Sequence, residues 1–144
     1  MKIVLQRVTE AAVSAQGQRI ASIGRGLLVL VGIEKGDTAG KAQAMAEKVA
    51  VLRIFEDQQG KMNLSVADVK GELLVVSQFT VVADLTKGTR PSFDSAEEPA
   101  KAGVLIEGFV GALKSKGCVV REGRFGTRMQ VSLVNDGPAT FILG

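Results

Sequence analysis

Hydrophobic residues form several short continuous runs in this chain, and the central one covers residues 73–82. Gly71 precedes it, and an apolar run of this length between turn residues predicts a buried central strand. Near its end the run carries Ser77, Gln78 and Thr80, polar side chains that need hydrogen-bond partners once water is excluded. Two interpretations of these side chains are open. They bond to a neighbouring loop at an exposed strand end, or they line a ligand pocket.

Other strands are predicted from alternating patterns and from β-branched runs between turns. They are residues 2–8, 12–15, 19–23, 26–33, 118–121, 128–134 and 139–143, with residues 61–65 as a short edge strand. Gln16-Gly17-Gln18 has the composition of a hairpin turn, and Asn135-Asp136-Gly137-Pro138 is predicted to break the sheet between the last two strands.

Two amphipathic helices are predicted, over residues 39–55 and 96–116. The segment Gly36-Asp37-Thr38 supplies a candidate N-cap for the first helix. Leu105, Phe109 and Leu113 mark the buried face of the second helix. Since strands outnumber helices and several are adjacent, we predict an α/β fold. It would be a curled, mixed or mostly antiparallel, barrel-like sheet with two helices packed on it.

Composition is typical of one globular domain, here residues 1–144. The hydrophobic fraction is 46% and the charged fraction 23%. No apolar run reaches the roughly 20 residues of a membrane span, and the first residues lack the pattern of a signal peptide. We therefore expect a cytoplasmic protein with no membrane partner.

The chain contains no His, which excludes a Ser-His-Asp triad, a Cys-His pair and a His-based zinc site. Its one cysteine, Cys118, follows a glycine at a predicted strand start, and this context favours a small buried hydrophobic residue over a nucleophile. The net charge of +3 permits a polyanionic partner without requiring one.

Two short motifs change this interpretation when they are taken together. Ser77-Gln78-Phe79-Thr80 and Asn135-Asp136-Gly137-Pro138-Ala139-Thr140 resemble the paired signature motifs of the D-aminoacyl-tRNA deacylases. The resemblance extends over the whole chain. It includes Val4-Leu5-Gln6-Arg7-Val8, Lys61-Met62-Asn63-Leu64-Ser65, Lys87-Gly88-Thr89-Arg90-Pro91-Ser92-Phe93 and Phe125-Gly126-Thr127-Arg128-Met129.

The resemblance implies a homodimer that hydrolyses the ester between a D-amino acid and the terminal ribose of tRNA. It also implies glycyl-tRNA as a substrate, no cofactor, no metal and no DNA partner. In the family, the Gly-Pro bond of the second motif is cis and enters the partner subunit's pocket. Carried over, the carbonyls of Gly137 and Pro138 would bind the substrate ammonium and leave no room for an L side chain. Asn135, Ala139 and Thr140 belong to the same selecting motif.

The first motif would supply the catalytic end of the site. The Phe79 backbone N–H, with Ser77 and Gln78, would stabilise the oxyanion of the tetrahedral intermediate. Thr80 is a candidate nucleophile, but a threonine hydroxyl needs an adjacent base. The resemblance implies instead that the 2′-hydroxyl of the tRNA ribose assists the attack of water, and that Thr80 positions the substrate.

Further positions are assigned roles by the resemblance. Phe125 and Met129 would hold the terminal adenine, with core packing as the alternative. Lys87 and Arg90 would meet acceptor-stem phosphates, with a solvated loop as the alternative. Arg7 would support the loop of the second motif.

One pair of residues departs from the family pattern. Thr127 and Arg128 stand where a small residue and then an acidic or neutral one are expected. Three other classes of function compete with the deacylase interpretation. A deacylase of different chiral preference would differ in the first motif, an RNA-binding module would show a basic stripe with interleaved aromatics, and a metal hydrolase would need a cluster of ligands.

Overall fold

The sheet is organised around one long strand near the start of the chain. The computed structural model describes all of residues 1–144. The strands are β1 (Lys2–Ala15), β2 (Gln18–Ile23), β3 (Gly26–Gly32), β4 (Phe55–Glu56), β5 (Met62–Leu64), β6 (Glu72–Ser77), β7 (Val119–Glu122) and β8 (Gln130–Leu143). The helices are α1 (Ala39–Val51) and α2 (Pro99–Ser115), with a 3₁₀ turn at Phe79–Val82.

β1 pairs antiparallel with three strands. Its first half pairs with β3, its second half pairs with β2, and β8 runs along its other edge. β6 and β7 then extend the sheet in parallel beyond β3. β2 also contacts β6 and β7, so the mixed sheet curls until it is nearly closed. The predicted α/β class with a barrel-like sheet and two helices is confirmed.

Hydrophobic residues fill both sides of this curled sheet. The larger cluster lies between the sheet and the two helices, with Phe55 and Phe109 as its largest fully buried side chains. The smaller cluster lies on the other face of the sheet and includes Val8, Leu28 and Leu74. Alternate residues of the central strands therefore serve two separate cores, which explains why those strands are continuous hydrophobic runs.

Two local predictions are confirmed in detail. Gln16 and Gly17 form the two-residue hairpin turn between β1 and β2, and both have positive φ, 51° and 75°. Thr38 is the N-cap of α1, where its Oγ1 accepts a hydrogen bond from the Lys41 N–H at 3.2 Å.

The predicted helix ends were wrong. α1 ends at Val51 rather than at residue 55, because Leu52 is extended and Phe55 pairs in the small β4–β5 sheet while its ring enters the core. α2 begins at Pro99 rather than at residue 96. The residue before a proline is disfavoured in helical conformation, and Glu98 is accordingly extended.

The central run and the last two strands also differ from prediction. β6 ends at Ser77, and the residues after Gln78 form the 3₁₀ turn, in which the Val81 N–H donates to Gln78 O at 3.2 Å. The last two predicted strands are a single strand, β8, which continues through Pro138. No helix in the structure is long and apolar enough to cross a membrane.

Candidate functional site

A cleft of about 700 Å³ opens where β6 ends. Its walls are the end of β6, the segment leading into α2, and the turn formed by residues 124–129. The residues that line it are Val31, Ile33, Val76, Ser77, Gln78, Phe79, Phe93, Ala96, Glu97, Glu98, Pro99, Ala102, Phe125, Gly126, Thr127, Arg128, Met129 and Val131. Apolar walls with a few polar groups at one end are typical of a small-ligand site.

The first motif lies at one end of this cleft. Ser77 and Gln78 are half-buried and Phe79 is exposed, and all three line the cleft. Thr80 is exposed and does not line it. The Gln78 Nε2 amide donates to Thr80 Oγ1, while the Gln78 backbone N–H donates to Val31 O at 2.8 Å. Thr80 therefore contacts the cleft through Gln78 rather than directly.

The backbone N–H of Phe79 has no acceptor within the chain. The turn from strand to 3₁₀ geometry at this residue removes its N–H from the ladder of β6. Phe79 lines the cleft, so this free donor lies beside it. A backbone donor held by regular structure on both sides is suited to stabilising negative charge.

Phe93 contributes to the same end of the cleft, and its part was not predicted. Its ring meets that of Phe79 edge to face, with centroids 4.9 Å apart and planes at 64°. Both side chains remain partly exposed, at 57% for Phe79 and 38% for Phe93. The two residues are too far apart in sequence for any local periodicity to have paired them.

Phe125 and Met129 line the wall of the cleft that the 124–129 turn forms. The Arg124 N–H donates to Met129 Sδ at 3.3 Å, which closes the 124–129 turn. The ring of Phe125 passes over α2 at Gly103, where an added Cβ would be 3.7 Å from it. Phe125 stays 43% exposed, so one face of the ring is open to the cleft.

The second motif lies outside this cleft. Val8 pairs with Asn135 and Gln6 with Thr140, so β1 contributes only Arg7 opposite residues 136–139 of β8. We call this bulged segment the 136–139 excursion. Its Gly137 and Pro138 are exposed, joined by a cis peptide bond, and do not line the cleft of their own chain.

The 136–139 excursion is held from beneath by Arg7, which is only 4% exposed. Its Nε–H donates to Asp136 O at 3.0 Å and its Nη1 donates to Ile54 O at 2.9 Å. Across the base, the Asn135 amide donates to Arg7 O and to Ala139 O, both at 3.0 Å. The Asn135 Oδ1 accepts from the Ala139 N–H at 3.1 Å. The exposed tip therefore stands on a fully bonded base.

Lys87 and Arg90 lie away from the cleft, in the exposed loop between the 3₁₀ turn and Phe93. Hydrogen bonds between Asp84 and Ser92 close the base of this loop, with N···O distances of 2.8 and 3.0 Å. The Asp84 carboxylate accepts from the hydroxyl and N–H of Thr86, and these bonds lower the pKa of Asp84 below its ordinary value. Asp84 therefore braces a turn.

Few ionisable groups face the cleft. Glu97 pairs with Lys101 at 2.6 Å, and this hydrogen bond lowers the pKa of Glu97 below its ordinary value.

Cys118 is half-buried against the core, and burial raises the pKa of its thiol. No group of three or more His, Cys, Asp or Glu side chains is placed to hold a metal ion.

Comparison with known proteins assigns a family to this arrangement. The sequence profile of the family described as D-Tyr-tRNA(Tyr) deacylase matches residues 4–144. A D-aminoacyl-tRNA deacylase of Geotalea uraniireducens is 55% identical over 99% of this chain and 92% of its own length. The enzyme of the same name from Pelobacter propionicus is 53% identical over 99% of both chains.

Solved structures agree with the sequence relatives. A protein described as c-Myc DNA Unwinding Element Binding Protein superposes with a TM-score of 0.94 and 40% identity, over 100% of this chain and 98% of its own. A probable eukaryotic D-amino acid tRNA deacylase superposes with a TM-score of 0.80 over 99% of this chain and 97% of its own. At 16% identity, the latter shows the shared fold only.

Proposed function

This chain belongs to the D-aminoacyl-tRNA deacylase family of hydrolases, and from that premise we propose the details of its substrates and mechanism. The substrates are tRNAs that carry a D-amino acid, and glycyl-tRNA. The enzyme cleaves the ester at the terminal ribose and releases the free amino acid and tRNA. Charged tRNAs are made and used in the cytoplasm, which is where we place the protein.

The observation that carries this proposal is the free Phe79 N–H at the cleft. Attack on an ester carbonyl places negative charge on its oxygen, and a donor already held in position stabilises that charge without reorganising. Ser77 and Gln78, half-buried beside Phe79, add polar groups at the same end. These three residues form the oxyanion end of the site.

Water is the nucleophile in this mechanism. The chain contains no His, and Thr80 lies outside the cleft with its hydroxyl accepting a hydrogen bond from Gln78. The hydroxyl adjacent to the ester on the tRNA ribose assists the attack of water on the carbonyl carbon. The bond between that carbon and the ribose oxygen then breaks, and a proton of the water passes to the ribose oxygen. Thr80 positions Gln78, and no side chain has to titrate.

Chiral selection is assigned to the 136–139 excursion of a second copy of the chain. Its Gly137 and Pro138 are exposed and do not line the cleft of their own chain, while its base is held by Arg7 and Asn135. A rigid exposed tip of this kind is suited to entering a partner's cleft. Its carbonyls bind the substrate ammonium and exclude an L side chain, whereas glycine passes because it has no side chain.

We place the tRNA end on apolar residues of the cleft and on basic residues of the loop that precedes Phe93. The open face of Phe125, with Met129 beside it, receives the terminal adenine. Lys87 and Arg90, on a loop with a closed base, contact phosphates of the acceptor stem.

The test is deacylation of matched D-tyrosyl-, L-tyrosyl- and glycyl-tRNA by the purified, chelator-treated protein. We expect the protein to hydrolyse D-tyrosyl- and glycyl-tRNA and to leave L-tyrosyl-tRNA intact. Equal hydrolysis of the D and L esters would refute selection by Gly137 and Pro138. Hydrolysis of none of them, with tight binding of duplex DNA or uncharged tRNA, would favour a nucleic-acid-binding protein without this activity.

Dimerisation is tested separately by sedimentation equilibrium and by mixing two inactive variants. A chain with Phe79→Pro lacks the N–H donor, and a chain with Gly137→Val has a blocked tip. If each cleft uses its partner's tip, mixed dimers contain one intact combined site and recover part of the activity. A monomer, or no recovery after exchange of subunits, would contradict a shared site.

A further inference from the structure

Arg128 is the only cation among the residues that line the cleft. Its side chain is exposed and forms no ion pair within the chain. Of the two lining carboxylates, Glu97 is already paired with Lys101 at 2.6 Å. The guanidinium of Arg128 is therefore free to bind an anion that enters the cleft.

The 124–129 turn fixes where this cation stands. The Thr127 N–H donates to Arg124 O at 3.3 Å, and Gly126 has a positive φ of 70°, which makes the turn tight. The hydrogen bond that the Arg124 N–H donates to Met129 Sδ closes the same turn. Arg128 therefore lies on the wall of the cleft that this turn forms, between Phe125 and Met129 in sequence.

We propose that Arg128 binds the phosphate on the 5′ side of the terminal adenosine of the substrate. This rests on the proposed function, in which the ester lies at Phe79 and the adenine at Phe125. The 5′ oxygen of that adenosine carries the phosphate, so a phosphate attached to an adenosine bound at Phe125 lies within reach of a cation on the 124–129 turn. A guanidinium binds phosphate oxygens with two parallel hydrogen bonds, which an ammonium does not reproduce.

The contact is a property of this chain and not of the shared motifs. Arg128 stands where the resemblance leads one to expect an acidic or neutral residue. A chain with such a residue lacks this cation, so Arg128 adds affinity for the 3′ end beyond what stacking on Phe125 supplies.

Binding of adenosine and of adenosine 5′-monophosphate separates the phosphate contact from stacking. Titrations followed by NMR are made with the wild-type protein, with Arg128→Gln and with the matched control Arg124→Gln. Arg124 is an exposed cation of the same turn that does not line the cleft. We expect the wild-type protein and the control to bind the monophosphate about tenfold more tightly than adenosine. For Arg128→Gln, the affinities for the monophosphate and for adenosine should differ by no more than about twofold.

A preference for the monophosphate that survives in Arg128→Gln, or that the wild-type protein lacks, would overturn the proposal. Arg128→Glu extends the test, because charge reversal should invert the preference while leaving the affinity for adenosine unchanged. Circular dichroism of each variant checks that the fold is intact.

A second measurement uses two substrates, in which D-tyrosine is esterified to the ribose 3′-hydroxyl of adenosine or of adenosine 5′-monophosphate. Arg128→Gln should lower kcat/KM about tenfold for the phosphorylated ester and leave the adenosine ester unchanged. Equal losses on both esters would place Arg128 at the ester and overturn the proposal. If the wild-type protein cleaves neither ester, deacylation of D-tyrosyl-tRNA still decides the proposed function, and the two binding affinities decide the phosphate contact.

Discussion

Arg7 and Asp136 join the first and last strands of the sheet at the base of the 136–139 excursion. The Arg7 Nε–H donates to Asp136 O at 3.0 Å from a side chain that is only 4% exposed. Arg7 is also the one residue of β1 that faces the excursion, because the neighbouring pairs are Val8 with Asn135 and Gln6 with Thr140. One buried side chain thus supports the exposed tip from within the fold.

Replacing Arg7 with Met should destabilise the fold and weaken selection between D and L substrates. The change leaves two carbonyls, Asp136 O and Ile54 O, without their donor, at roughly 2–4 kcal/mol of unfolding free energy. Urea unfolding measures the loss. The matched control is Arg53→Met, because Arg53 makes an exposed bond to Asn63 O at 2.8 Å and should cost less than about 1 kcal/mol. Equal costs for the two variants would show that Arg7 supports nothing specific.

Gly137→Ala should lower activity on D-aminoacyl-tRNA at least about tenfold. The loss of one well-placed contact in an active site typically lowers the rate by more than tenfold. The backbone of Gly137 has a φ of 132°, and an added Cβ would be 2.8 Å from Arg7 Nη2. Either the tip or Arg7 must move. The control is Gly108→Ala in α2, where an added Cβ meets nothing within 4 Å and should stabilise by about 0.5–1 kcal/mol. Native activity in Gly137→Ala would argue against a selecting role for the tip.

The Phe79–Phe93 pair should set the position of the substrate rather than the stability of the fold. Removing the Phe93 ring releases one side of Phe79 and should raise KM about three- to tenfold, which corresponds to the roughly 0.5–1.5 kcal/mol of an aromatic pair. Kinetics of Phe93→Ala, Phe79→Ala and the double variant measure the coupling. Leu85→Ala, an exposed residue of the preceding loop, is the control and should change nothing. Additive effects of the two rings would contradict a coupled pair.

Thr80→Val and Thr80→Ser distinguish positioning from chemistry. If the Thr80 hydroxyl only accepts the hydrogen bond from Gln78, the serine variant keeps its activity and the valine variant loses roughly tenfold. Single-turnover deacylation is the measurement. A covalent acyl-enzyme trapped by rapid quenching, or a loss of about 10⁴-fold or more in the valine variant, would make Thr80 the nucleophile instead.

Asp37 should make folding stability sensitive to acid. Burial by itself raises the pKa of its carboxyl, but hydrogen bonds from Lys41, the chain's amino group and the Glu34 N–H outweigh burial and lower it below the ordinary value of 3.8. A lowered native pKa gives stability that is fully present above pH 3.8 and is lost as pH falls through the native value.

Thermal unfolding between pH 7 and pH 2 measures this dependence. Asp37→Asn should unfold more easily at pH 7 and lose less stability on acidification than the wild-type protein. Glu107→Gln, a change on the outer face of α2, is the control and should follow the wild-type curve. Parallel acid curves for Asp37→Asn and the wild-type protein would show that Asp37 does not contribute.

Several elements could be predicted because their causes are local. The Gln16-Gly17 turn, the Thr38 cap and the buried face of α2 each follow from residues close together in sequence. That buried face consists of Leu105, Phe109 and Leu113, each four residues from the next. The curled mixed sheet follows from many short apolar strands. The two motifs were recognised because each is continuous in sequence, and family membership followed from their order along the chain.

The tertiary structure decided the rest, because it depends on residues distant in sequence. The run over residues 73–82 ends in Val81 and Val82, yet β6 stops at Ser77, and only the turn that follows frees the Phe79 N–H. Likewise, Asn-Asp-Gly-Pro predicts a break. The pairing of β8 with β1 instead keeps the strand continuous and confines the irregularity to the excursion over Arg7.

The assembly of the cleft shows the same division. The sequence by itself indicated which residues are candidates for the site: Ser77, Gln78, Phe79, Gly137 and Pro138. It did not determine that Phe93 packs on Phe79, or that Arg128 is the only cation facing the cleft. Those relations come from the curl of the sheet and the packing of α2 against it. Burial of apolar surface determines this packing, and the packing determines where the polar residues lie.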